Sequence, residues 1–180
     1  MPLASEGEGR NIGIETSVRK TPEYFGWTWG ANATIYQSAY RTNSNEWLDT
    51  RFDGRYIFNL HIGKEWVRKA KATLGVHIRA NYLGGFRTTP IDLDASRQAG
   101  LTVFNDSAAF SLQQDDYFRV DLSIFRKVEH KRVTSTISLA IQNASNQKNE
   151  AFSFYDSLLD RVVRREQLGI LPIINYRIQF

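Results

Sequence analysis

The chain contains no cysteine, which excludes disulfides and thiolate-held metal centres. No stretch approaches the ~20 consecutive apolar residues of a membrane helix, and the mean hydropathy is −0.41. The opening residues MPLASEGEGRN lack the apolar core of a secretory signal. An outer-membrane or secreted protein needs one, so the expectation is either a soluble chain or one whose true start lies further upstream. Charge of one sign is also in short supply. Lys and Arg number 23 against 19 Asp and Glu, for a net charge of +4. The cations are spread along the chain, so nucleic acid is not an expected partner. Catalytic signatures are missing too: there is no GxSxG, no HExxH and no glycine-rich phosphate loop. Asp115 and Asp116 are adjacent, and adjacent side chains diverge in an extended chain. The chain reads as a non-enzyme with no cofactor. None of these absences excludes a membrane β-barrel, whose strands are short alternating segments.

What is present is a period of two. NIGIETSVR places Ile12, Ile14, Thr16 and Val18 on one face. GWTWGANATIYQ does the same with Trp27, Trp29, Ala31, Ala33 and Ile35, and RYIFNLHIGK with Tyr56, Phe58, Leu60 and Ile62. TLGVHIRANYL, YFRVDLSIFRK and VTSTISLAIQN follow, and the terminal LPIINYRIQF makes seven. Each is a two-faced strand of about ten residues. Only IDLDASRQAG (Ile91 to Gly100) suggests a helical turn.

The connections sort by length. Lys20 to Phe25, Glu65 to Ala72 and Val128 to Arg132 are short. Ala39 to Thr50, Gly84 to Asp116 and Ala144 to about Gly169 are long. Short and long alternate, so an up-and-down antiparallel sheet gathers its short turns on one edge and its long loops on the other, as outer-membrane barrels do. On the apolar face, Trp27, Trp29, Phe125 and Phe180 fall near the short-turn edge and Tyr56, Tyr82 and Phe118 near the long-loop edge, with aliphatic residues between. Aromatic rims around an aliphatic band fit a membrane interface. The other face is polar and is expected to line a lumen with Glu15, Arg19, His61, His77, Arg79, Arg119, Asp121 and Arg177. The fold class read from this pattern is all-β: an antiparallel up-and-down transmembrane β-barrel. Bacterial barrels use an even number of strands, so seven strands spanning residues 1–180 are expected to be the C-terminal portion of a larger, here incomplete, barrel.

EGRNIGIETSVRK, TRFDGRYIFNLHIGKEW, FRTTPIDLDAS, DDYFRVDLSIFRK, ISLAIQNASNQKN and LPIINYRIQF, taken in this order and spacing, resemble the last strands of TonB-dependent outer-membrane receptors of Bacteroidetes-type bacteria. The resemblance implies a plugged barrel of about 22 strands in the bacterial outer membrane that takes up a nutrient, here unassigned. It implies outer-membrane lipid, the barrel-assembly machinery and a TonB-type energy-coupling protein as partners, with a surface lipoprotein as a further one. The coupling protein acts through a plug domain that, like the earlier strands, lies outside these residues. Tyr176, Ile178 and Phe180 match the terminal signal read by the assembly machinery.

The long loop from Gly84 to Asp116 is the expected place of ligand contact, with Phe86, Thr88, Pro90, Asp92 and Phe104 as candidates. AFSFYD and RVVRREQ flank a turn at Ser157 to Asp160 and suggest an extension hairpin. His61 and His77 share a face across a hairpin centred near Ala70, but two imidazoles without a third ligand do not make a metal site. Arg79, Arg119 and Arg177 are expected to pair with Glu15, with Asp121 or with plug carboxylates. An alternative is a soluble lipocalin-like barrel around a small apolar ligand; the continuous polar face opposes it. A basic sheet binding single strands needs aromatics interleaved with cations on one face, and here most strand aromatics share the aliphatic face.

Overall fold

The computed structural model describes residues 7–21, 26–42, 46–68 and 71–180. Strands dominate, in antiparallel sheets. Seven long strands form one sheet: β1 (Glu8–Lys20), β2 (Trp27–Arg41), β4 (Tyr56–Arg68), β5 (Ala72–Leu83), β8 (Tyr117–Glu129), β9 (Thr134–Gln142) and β12 (Leu171–Gln179), paired in that order. A two-residue strand, β3 (Leu48–Asp49), folds back on β2. The sheet is open, with β1 and β12 at its edges among the described residues.

All seven alternating segments are strands, and several run further than the alternation alone suggests. β4 continues to Arg68, and the ladder pairs Arg68 with Ala72. The expected hairpin centre near Ala70 lies outside the described residues, as do residues 22–25 of the first short connection. Lys71 takes a left-handed conformation, φ 55°, on the return.

The register assigns the faces, because residues directly opposite one another project to the same side. Tyr56, Phe58, Leu60 and Ile62 share a face with Trp29, Ala31, Ala33, Ile35, Ile78, Ala80 and Tyr82. Ile174, Tyr176 and Ile178 join that face through Leu139, Ile137 and Ser135. Phe125 does not. It stands opposite Gly75 and Ser138, on the polar side, with its ring 5.7 Å from that of His77. Alternation puts Leu122 and Ile124 on the apolar face, so their odd-numbered neighbour Phe125 must turn away. Trp66 takes a place at the short-turn edge of the apolar face instead.

This face is uncovered. Ile14 is 76% exposed and Ile174 77%, and among the described residues only Ala39 and Tyr155 are buried apolar side chains. The accessible surface is 13188 Å², against roughly 8,900 Å² for a compact monomer of this mass. Among the described residues, no helix is long and apolar enough to cross a membrane.

The long connections carry structure of their own. Residues 84–116 contain β6 (Arg87–Thr88) paired with β7 (Leu112–Gln113), the helix α1 (Leu93–Ala99) and a 3₁₀ turn at Asp106–Ala108. The last connection holds the hairpin of β10 (Glu150–Asp156) and β11 (Arg161–Glu166), so the flanking segments at Ser157 to Asp160 do form a hairpin.

Candidate functional site

Two regions gather functional side chains. The first is the polar face. Arg19, Gly30, His61, Arg79 and Asp121 stand opposite one another on five adjacent strands. The next row holds Thr28, Gly63, His77 and Ser123. Three rings lie over glycines of the neighbouring strand: His61 over Gly30, His77 over Gly63 and Phe125 over Gly75. A Cβ at any of the three would meet the ring above it, so the absence of a side chain lets imidazole and phenyl groups lie flat on the backbone.

A groove of about 310 Å³ on this face is lined by His61, His77, Arg79, Asp121 and Ser123, among others. Arg119 grips Asp121 with two nitrogens at 2.6 and 2.9 Å, the fork geometry that suits a carboxylate. Asp121 also accepts from the Asn143 backbone N–H at 2.9 Å, which fixes the start of the last long loop. Glu65 approaches His77 at 3.7 Å. Thus the structure brings His61, His77, Arg79 and Asp121 together, with Arg119 bound to Asp121. Glu15 sits in a different row, opposite Thr34. Arg177 lies toward the short-turn edge, opposite Thr136. Of the ion pairs expected for the three arginines, only that of Arg119 with Asp121 forms among the described residues. No group of three or more His, Cys, Asp or Glu gathers there to hold a metal.

The second region lies at the long-loop edge, where three connections lock together. Asp53 is fully buried. It accepts from the Ser38 backbone N–H at 2.8 Å and pairs with Arg55 at 2.6 Å and Arg87 at 3.3 Å. Burial of a carboxylate is tolerated because it is paired and hydrogen-bonded. Asp116 accepts the hydroxyls of Tyr56 and Tyr82 at 2.6 and 2.5 Å. The Tyr56 donation, then that of Tyr82, holds its carboxyl below the usual range. The extension hairpin is tied to the 84–116 loop by Arg97–Asp160 at 2.8 Å, Arg164–Asp115 at 2.5 Å and the Tyr155 N–H donating to Thr102 Oγ1 at 3.0 Å. Arg97, then the Tyr155 hydroxyl, depresses the Asp160 carboxyl. Asn149 imitates a strand residue: its side chain accepts from Phe118 N–H and donates to Phe118 C=O.

Between these elements opens a cleft of about 310 Å³ lined by Arg51, Thr88, Phe104, Asp106, Phe110 and Phe152, with their neighbours. Of the five loop residues singled out in the sequence, Thr88 and Phe104 line it. Phe86 packs edge-to-face on Phe52, with ring centres 5.7 Å apart. The Pro90 carbonyl accepts from Asn105 N–H. Asp92 caps α1, its carboxylate accepting from Ala95 N–H at 2.9 Å, a task that occupies the group.

Arg51, Phe110 and Phe152 escaped the sequence reading. Phe152 lies in the expected hairpin, but nothing there marks it as a cleft residue. Phe110 has φ 55°, a conformation rare for a bulky side chain and characteristic of functional positions. Its ring meets Tyr40 edge-on at 6.3 Å, and no local motif announces it. The cleft offers aromatic faces, a hydroxyl, a guanidinium and a carboxylate. That set suits a ligand with both an apolar face and hydrogen-bonding groups.

No family model matches the chain, and neither a curated protein nor a solved structure matches it.

Proposed function

We propose that this chain is a wall segment of an outer-membrane β-barrel of the TonB-dependent receptor type, engaged in nutrient uptake. The observation that supports the reading is the uncovered apolar face: seven paired strands present aliphatic residues bounded by aromatics, a surface suited to an apolar medium. In this reading the polar face is lumen surface, and the groove at His61, His77, Arg79 and Asp121 meets water or the plug. The cleft at Phe104, Phe110 and Phe152 is a point of ligand capture on the outer side. Outer-membrane lipid surrounds the wall. The barrel-assembly machinery engages the terminal strand, and the energy-coupling protein and any surface lipoprotein act on the whole receptor.

These residues hold no cysteine of their own, so with any cysteine elsewhere in the polypeptide replaced by serine, labelling reports only the introduced thiols. Single cysteines are placed at Val76, Ile78 and Ala80, and separately at His77, Arg79 and Asn81, in the complete polypeptide that carries this chain. In cell envelopes, a water-soluble maleimide is expected to label the second set and spare the first, while a lipid-soluble one labels the first. The protein is expected to stay with the membrane after carbonate washing. Recovery in the soluble fraction would sink the reading and favour the lipocalin-like alternative.

A further inference from the structure

Among the described residues, the short-turn rim of the apolar face gathers cations without carboxylate partners. Lys20, Lys64, Arg68 and Arg126 all occupy apolar-face positions, opposite Trp29, Trp27, Ala72 and Leu74 respectively. All four lie at the short-turn ends of their strands. Among the described residues, no side-chain carboxylate shares that rim of the face, and none of the four enters an ion pair. Two cations close by or on the same face are matched by carboxylates. Lys127, one residue from Arg126 but facing the other way, pairs with Glu129 at 2.8 Å. Arg41, at the opposite rim of the apolar face, pairs with Glu8 at 2.8 Å.

Lys64 is held in place. Its Nζ lies 4.7 Å from the ring centre of Trp27 and 5.3 Å from that of Trp66. Two ring faces orient the ammonium without neutralising it, and its three N–H donors seek an acceptor. Beside the cations stand Leu74 and Val76, and inward along the strands come Ile62 and Ile124, an aliphatic surface. A ligand that satisfies both parts has an anionic head and hydrocarbon chains.

We infer that this rim binds the phosphate of an anionic phospholipid, with Lys64 between Trp27 and Trp66 as the principal donor and Lys20, Arg68 and Arg126 as the surrounding positive field. The inference rests on the membrane reading above. The acyl chains lie along the aliphatic band, and the tryptophans sit at headgroup depth.

The test uses the complete polypeptide with Trp47, and every tryptophan outside these residues, replaced by Phe, reconstituted in phosphatidylcholine vesicles containing phosphatidylglycerol. Tryptophan quenching by brominated phosphatidylglycerol is compared with quenching by brominated phosphatidylcholine at equal mole fraction. The expected result is a several-fold preference for the anionic quencher. Lys64→Gln combined with Arg68→Gln and Arg126→Gln is expected to reduce it to parity, while Lys64→Arg preserves it. Strong but equal quenching by both lipids, or a preference that survives the triple substitution, would overturn the inference and leave the membrane reading intact. Quenching by neither lipid would overturn both.

Discussion

The ring of Phe125 fills the space that a Cβ on Gly75 would need, and the two residues face each other directly across β5 and β8. His77 over Gly63 and His61 over Gly30 repeat the relationship on the strands beside it. The three contacts step across four strands of the polar face. Each ring covers backbone that a glycine leaves bare, a device known to stabilise open sheet positions.

Gly75→Ala is therefore expected to destabilise the protein by about 1–3 kcal/mol, the usual cost of inserting a methyl group into a filled site. Phe125→Ala added to Gly75→Ala is expected to recover part of the loss, because the clash disappears with the ring. Urea titration of the two variants and of Phe125→Ala alone, in the amphiphile that supports the native protein, measures the coupling. Additive effects would contradict direct contact.

At Phe110 the backbone is held at φ 55°, which costs a non-glycine residue about 1 kcal/mol. Phe110→Gly removes both the strain and the ring, whereas Phe110→Ala removes only the ring. The glycine variant is expected to keep the 84–116 loop better protected in hydrogen exchange than the alanine variant, by about that amount. Equal protection would show that the conformation is not a reservoir of strain.

Acid is expected to loosen the outer loops before the sheet. Asp116 is depressed by Tyr56 and Tyr82, and Asp160 by Arg97 and Tyr155. A carboxylate depressed in the folded state contributes stability above its unfolded value of about 3.9, and that contribution fades as pH falls through the lower folded value. Hydrogen exchange in the loop from Gly84 to Asp116 and in the turn at Ser157 to Asp160 is expected to rise from about pH 5 downward, while β5 and β8 remain protected. Tyr82→Phe is expected to shrink the acid-dependent change around Asp116, because it brings the folded value closer to the unfolded one, and to leave that at Asp160 unchanged. A single transition shared by loops and strands would refute this order.

Much of the fold is written in local pattern. Ile12, Ile14 and Val18, like Leu60 and Ile62, mark strands by alternation alone, and the hairpin around Ser157 to Asp160 was marked by strand-like segments on both sides of a turn. Asp92 illustrates the limit. In the sequence it is a carboxylate in a long loop and so a candidate for ligand contact; in the fold it caps α1. Phe125 illustrates another: its aromatic character suggested the rim, while its odd place in the alternation sent it to the polar face. The cleft residues Arg51, Phe110 and Phe152 come from three separate connections, and no spacing in one segment foretells that they meet.

The sequence by itself determined the two-faced strands and the sorting of short and long connections, because side-chain alternation follows from the covalent geometry of an extended backbone. The tertiary structure alone decided that His61 lies over Gly30, that Asp121 is held by Arg119 rather than Arg177, and that Lys64 rests between Trp27 and Trp66. Those contacts depend on the register between strands, which hydrogen bonds between distant residues establish and which no single segment contains.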